Sequence, residues 1–267
     1  MKNKVVIITG ASSGIGKACA LEFSKKGACL VLVSRTESKL IELKKSIINL
    51  GGKAIYVVAD VSNEDDCSNI IQQTISSYGC IDILVNNAGI SMRALFLDLD
   101  LTDFEKVMKI NFYGSVYCTK YALPHILKNS GSIVGVSSIA GHKGLPGRTA
   151  YSASKFAMRG FLEALRIENL KKGLHVLIAS PGFTASSIRQ NALDSSGGQQ
   201  KKSPRNEKKM MSAELVAEKI VNAVYKRKNS IVLTFQGKLV VFLNKFFPSL
   251  VNRLIFNSLS KEKKSPF

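Results

Sequence analysis

The stretch Val5-Val6-Ile7-Ile8-Thr9-Gly10-Ala11-Ser12-Ser13-Gly14-Ile15-Gly16 limits the fold more than any other part of the chain. Four consecutive β-branched apolar residues suit a strand buried on both faces of a parallel sheet. The glycine turn opens directly into a helix pattern that runs through Phe23. Strand, turn and helix in that order present unpaired backbone N–H groups and the positive end of a helix dipole beside the strand's end. A dinucleotide pyrophosphate is the ligand such a turn accepts, and Gly10, Ser12, Ser13, Gly14, Ile15 and Gly16 are its candidate contacts. The spacing, Gly-xxx-Gly-x-Gly, departs from the commoner GxGxxG. Met1-Lys2-Asn3-Lys4 before the apolar run imitates the start of a signal peptide, but the run is short and enters the turn, so it reads as a first strand.

Further strands alternate with helices along the 267 residues, and no low-complexity linker interrupts them. The expectation is one α/β domain: a Rossmann-type, doubly wound parallel sheet of about seven strands flanked by helices. Residues 1–236 read as the catalytic domain and 237–267 as an amphipathic helical extension. The second strand, Cys29 to Val33, ends in Ser34-Arg35. An acid there would hold a ribose 2′-hydroxyl, whereas an arginine accommodates a 2′-phosphate, so NADP(H) is expected in preference to NAD(H). The plainer alternative is a solvated arginine at a strand end. The third strand, Ala54 to Ala59, delivers Asp60-Val61, suited to the adenine amino group or to capping the helix that begins near Asn63. The fourth, Ile81 to Val85, opens into Asn86-Asn87-Ala88-Gly89, either a polar clamp with close backbone approach or a tight turn.

The chemistry is carried by Tyr151-Ser152-Ala153-Ser154-Lys155. Positions i and i+4 share one helix face, so a phenol and an ammonium can meet in one pocket. A nearby cation favours phenolate and lowers the phenol's ordinary value near 10, by roughly 1.4 kcal/mol for each pH unit. The alternative is an exposed helical pair without a role.

These segments in this order make the chain resemble a short-chain dehydrogenase/reductase over roughly residues 4 to 235, and its apolar tail resembles that of the member-7-like dehydrogenases. The resemblance implies hydride transfer between a nicotinamide and a carbonyl or secondary alcohol, with Tyr151 as general acid and base. It implies that Lys155 lowers the phenol's pKa and holds the nicotinamide ribose, and that Asn111 positions a water next to Lys155. A buried asparagine could also repair a helix irregularity. The family serine lies thirteen residues before the tyrosine, which selects Ser138 over Ser137 as the donor to the substrate oxygen. Pro181, Gly182 and Thr184 correspond to the segment that lines the nicotinamide, although a plain Pro-Gly turn accounts for the first two. A homodimer or homotetramer through the long helices is implied as well.

Composition narrows the partners. The chain carries 38 Lys and Arg against 19 Asp and Glu, a net charge of +19. No nucleic-acid motif or interleaved aromatic platform accompanies that charge, so no nucleic-acid partner is expected. Part of it clusters at Lys201, Lys202, Arg205, Lys208 and Lys209, and part in Lys261 to Lys264. Five scattered cysteines without CxxC spacing, and three histidines outside any cluster, suggest reduced structural thiols, no metal, and a cytoplasmic protein. Residues about 183–211 read as a mobile lid, and Met92, Leu95, Leu145, Pro146 and Phe183 as apolar wall for a hydrophobic substrate. The apolar tail is broken by Asn244, Lys245 and Pro248, so neither half reaches the ~20 residues that span a bilayer. It suits an interfacial membrane helix, a cover for the substrate cleft, or packing on the domain or a second subunit. A protein on this fold that senses nucleotide without catalysis would be expected to lack Ser138, Tyr151 or Lys155, and all three are present.

Overall fold

In the computed structural model, which describes residues 1–186, 188–200, 210–262 and 265, the first apolar run is a central strand, β1 (Val5–Thr9). Alternate side chains of a strand point to opposite faces. Val6 and Ile8 therefore enter one hydrophobic core and Ile7 the other, which is why the run carries no polar residue before Thr9. The sheet is completed by β2 (Cys29–Ser34), β3 (Lys53–Val58), β4 (Ile83–Asn86), β5 (Ser132–Val136), β6 (His175–Ser180) and β7 (Ser230–Val232). All seven strands are parallel, in the order β3-β2-β1-β4-β5-β6-β7.

Helices cover both faces. On the Ile8 side, α1 (Gly14–Lys25), α2 (Glu37–Asn49) and α7 (Ala213–Tyr225) contribute Phe23, Leu40 and Ile220. On the Ile7 side, α3 (Glu64–Tyr78), α5 (Gly114–Lys128) and α6 (Thr149–Glu168) contribute Ile70, Ile126 and Leu162. The order in which successive strands join the sheet reverses between β1 and β4, and that switch opens a crevice at the C-terminal ends of the strands. The fold is the doubly wound single domain expected from the sequence. Its helical extension consists of α8 (Phe235–Phe246) and α9 (Pro248–Leu259).

Several boundaries differ from the sequence reading, each for a local reason. The third strand starts one residue early, at Lys53, and ends at Val58. The fourth strand starts at Ile83, because Asp82 is engaged before it: its carboxylate accepts from Val5 N at 2.9 Å and from Lys4 Nζ at 2.8 Å. The extension, read from 237, starts two residues earlier: β7 ends at Val232 and Phe235 opens α8, because Thr234 Oγ1 accepts from Gly237 N at 3.1 Å. The stretch that carries Asn111 is α4 (Leu101–Met108), one wide turn of π-helix at Lys109–Tyr113, and then α5. All five cysteines are free thiols; burial pushes Cys19 up to about 12, a protonated and unreactive state.

Candidate active site

The nucleotide end of the crevice is built from backbone held by short side chains. Gly10 and Gly14 take φ of +66° and +51°, values open to glycine, so the turn can double back beneath α1. A Cβ on Gly16 would collide with the Gly10 carbonyl oxygen and approach Asn87 Nδ2. Asn87 holds the turn from β4: its Nδ2 donates to Thr9 O at 2.9 Å and Gly10 O at 3.3 Å. Thr9 Oγ1 accepts from the backbone N of both Asn87 and Ala88 at 3.0 Å. Asn87 is thus a clamp, as one of its two sequence readings held, and Thr9 is a clamping residue that sequence reasoning passed over.

Bare backbone at Gly10 to Ile15 faces a cleft of about 1620 Å³, together with Ser34, Arg35, Asp60, Val61, Ala88 and Gly89. These residues fit a dinucleotide, with room left for a second small molecule. Asp60 does not cap the following helix; Asn63 does, accepting from Asp65 N and Asp66 N. Asp60 instead accepts from Ser62 N and Oγ and stands 3.5 Å from Arg35 Nη1. Although partial burial acts against it, the Ser62 bonds and Arg35 hold its carboxyl below the usual range.

At the middle of the cleft, α6 presents Tyr151 and Lys155 on one face, as the i, i+4 spacing requires, and both line the cavity beside Ser138. Ser138 Oγ accepts from Ala140 N at 3.2 Å and draws the phenol's pKa downward, while neighbouring Ser137 donates to Lys155 O at 3.3 Å, tying β5 to α6. Both serines border the cleft. Asn111 lies in the π-turn, fully buried, with Oδ1 accepting from Ile90 N at 2.8 Å and Nδ2 donating to Ile90 O at 2.9 Å and Ser154 Oγ at 3.0 Å. Its side chain does not mend its own helix; it fixes the strand exit at Ile90 against α6. A Cβ on Gly89 would come within 3.0 Å of Asn111 Oδ1 and 3.6 Å of Lys155 Nζ, so glycine here lets the strand exit pack directly on both side chains; Asn111 itself is buried behind the cleft and does not line it. Pro181, Gly182 and Thr184 line the facing side, with Thr184 Oγ1 donating to Gly182 O at 3.1 Å.

The electrostatics correct one sequence expectation. Burial pushes the Tyr151 phenol above its ordinary value, and the Ser138 hydrogen bond and the charges of Arg148 and Arg189 pull it back. Lys155 Nζ donates to Val136 O at 2.9 Å and lies over the phenol ring, 5.8 Å from its centre. Its own pKa is lowered by burial to about 8, so its charge is weakly held. Two of the three histidines are engaged structurally: His142 is held by Ser180 Oγ and Arg159, and His175 by Ser132 Oγ and Lys228 O.

The substrate end is built differently from the reading. Leu145 and Phe183 face the cleft, whereas Met92 is buried in a small satellite core with Leu193, and Leu95 and Pro146 are not among the lining residues. The described part of the lid is pinned: Ala185 N donates to Met211 O at 2.9 Å, and Arg93 N to Leu193 O at 2.7 Å. The basic cluster at 201–209 and Lys263 and Lys264 lie outside the described residues. The tail supplies the missing wall, with Val240, Leu243, Val251, Leu254 and Leu259 facing the cavity. Arg93 Nη2 meets Glu262 Oε2 at 3.4 Å, both side chains buried, and this pair ties the end of the extension to the strand exit. Periodicity alone had left the cover-helix reading level with its rivals, since an apolar stripe does not say what it faces. Among the described residues, no cluster of three metal-ligating side chains occurs.

Residues 4–196 match the family model described as short chain dehydrogenase. The chain is 34% identical over 271 residues to dehydrogenase/reductase SDR family member 7B of Mus musculus, covering 99% of this chain and 84% of that protein. It is 42% identical over 198 residues to 11-beta-hydroxysteroid dehydrogenase 1A of Arabidopsis thaliana, covering 73% of this chain but 56% of that protein's length. A solved short chain dehydrogenase/reductase from Burkholderia phymatum in complex with NAD superposes with a TM-score of 0.84 at 23% identity, covering 93% of this chain and 95% of its own, which supports the fold. The glycine turn, the asparagine clamp and the tyrosine and lysine on one helix face thus stand in a chain that belongs to the short-chain dehydrogenase/reductase family, an NAD(P)-dependent oxidoreductase similar to the member-7 dehydrogenases.

Proposed function

We propose that this chain is an NADP(H)-preferring oxidoreductase acting on the carbonyl or secondary alcohol of a hydrophobic substrate, with Tyr151 as general acid and base. The observation that carries the reading is the convergence of Tyr151, Ser138, Lys155 and Gly89 on one cleft whose other end is the glycine turn. When bound, the nicotinamide supplies or accepts the hydride. The turn from Gly10 to Gly16 and the N-terminus of α1 take the pyrophosphate, Arg35 and Ser34 the 2′-phosphate, Asp60 and Val61 the adenine, and Asn87 to Gly89 the adjoining ribose. Pro181, Gly182 and Thr184 frame the nicotinamide, and Lys155 holds its ribose. In reduction, Ser138 donates to the substrate oxygen and Tyr151 gives its proton to that oxygen as negative charge develops. Lys155, whose pKa of about 8 lies close to neutrality, resupplies that proton with Asn111 positioned behind it.

Turnover of NADPH with a panel of apolar ketones tests this. Tyr151→Phe should lose about 10²–10⁴-fold in kcat; near-full activity in that variant would remove the assignment. Residues 1–236 form the catalytic unit in this reading, and 237–267 the wall that confers an apolar pocket.

The extension also bears on location. Phe235, Phe242, Phe246, Phe247, Leu250 and Leu254 are exposed, with Lys238, Lys245 and Arg253 among them, and no helix among the described residues is long and apolar enough to cross a membrane. That combination supports peripheral contact of α8 and α9 with a bilayer surface. Sedimentation with anionic vesicles should retain the full chain, and equal partitioning after removal of 237–267 would refute it. Exposed Tyr113 on the π-turn and Phe156 and Ile167 on α6 support self-association through the long helices, which light scattering would measure.

A further inference from the structure

The free edge of the sheet has no part in the hydride transfer proposed above. β7 is the last strand and pairs with β6 alone. Ile178 N donates to Asn229 O at 3.1 Å and Leu233 N to Ser180 O at 3.0 Å. In a parallel ladder those two bonds turn the main chain of Asn229, Ile231 and Leu233 toward β6 and that of Ser230 and Val232 away from it. Both outward residues line a groove of about 410 Å³ bounded by α7 and by Lys238 of α8. We infer that this groove is an interaction surface for an extended acidic segment of a partner protein, which adds to the sheet edge as a further strand.

Charge selects the partner. Lys219 and Lys226 of α7, Lys228 before β7 and Lys238 line the groove, against a single carboxylate, that of Glu218. All four lysines are exposed, and among the described residues none of them is in an ion pair. Sheet edges are commonly blunted by charge on the edge strand itself, but β7 reads Ser230-Ile231-Val232, so the lysines flank a strand that is left open. A second copy of this chain paired edge to edge would bring the same lysines of both copies together, which like charge opposes. Carboxylates on alternate residues of an added strand instead meet ammonium groups while its main chain satisfies Ser230 and Val232. The approach to β7 is fixed in advance: Arg227 Nη1 donates to Ser130 O at 3.0 Å and Nη2 to Gly173 O at 2.6 Å, and His175 Nε2 meets Lys228 O at 2.9 Å.

The probe is a fluorescent hexapeptide that alternates valine with glutamate, titrated into the full chain and followed by anisotropy, with hydrogen exchange read at single amides. It should bind, lose affinity as salt rises, and slow exchange at the Ser230 and Val232 amides by about tenfold or more. Lys219→Glu combined with Lys228→Glu should weaken binding by at least about tenfold while the melting temperature stays near wild type. The same peptide with lysine in place of glutamate should not bind. Absence of binding, binding that leaves both amides unprotected, or equal binding of the acidic and basic peptides would overturn the proposal. Protection of those amides that grows with protein concentration in the absence of peptide would assign the edge to a second copy and overturn it as well.

Discussion

At the nucleotide end of the cleft the ligand-facing surface is main chain, held in place by Thr9 and Asn87 and by glycines that admit no added atom. At the substrate end it is side chain, carried by the segment after β6 and by α8 and α9, and tied back by contacts such as Arg93 to Glu262 and Asn244 Nδ2 to His142 O at 3.4 Å. The first surface is fixed by covalent geometry and a short hydrogen-bond ladder. The second is fixed by apolar packing that many sequences satisfy equally well. One end therefore suits a ligand met by main chain, and the other a ligand met by side chains.

That contrast breaks most readily at Gly16. Gly16→Ala places a methyl group against the Gly10 carbonyl, and overpacking of this kind costs about 1–3 kcal/mol. Calorimetry should find NADPH binding weakened by more than about tenfold, and wild-type affinity would show that the turn yields. Arg35→Ala sharpens the cofactor side: loss of a charge-assisted phosphate contact should weaken NADPH binding about tenfold while leaving NADH within about twofold. Equal effects on both would return Arg35 to the solvated role. At the opposite end, Glu262→Gln should raise KM for substrate several-fold with NADPH affinity unchanged, because it loosens only the tie of the extension. A matching loss of NADPH affinity would mean that the two ends are not separable.

The smallest expected effect is on stability against pH. His142 is half-buried beside Arg159, and that burial, with the Arg159 charge, lowers its pKa from 6.5 to about 4. The unfolded chain then binds more protons than the folded one between those values. His142 thus adds stability that is present above about 6.5 and lost as pH falls toward 4. Melting temperatures measured across that window should fall in wild type and fall less in His142→Gln.

Elements whose physics is local were legible from sequence. The unbroken run Val5 to Ile8 announced a doubly buried strand, the glycines a left-handed turn, and the i, i+4 spacing a shared face for Tyr151 and Lys155. What sequence reasoning misplaced depends on partners far along the chain. Ile81 and Asp82 look like strand until Asp82 is seen bound to Val5 and Lys4. Arg148 sits at helical spacing from Tyr151, a signal that was available, yet only the fold shows it buried in the same cleft with Arg189. The apolar stripe of the extension told of burial without naming the surface it meets. The break at Pro248 was visible, and it does separate α8 from α9.

The sheet grows outward from β1, and the segments that touch the nucleotide through Gly89 all precede the helices that wall the substrate. During translation, which releases a chain from its N-terminus, the surface for the dinucleotide leaves the ribosome well before α8 and α9. A ligand that binds only folded protein stabilises it by mass action. The segments proposed to hold the coenzyme are thereby synthesised before those proposed to choose the substrate.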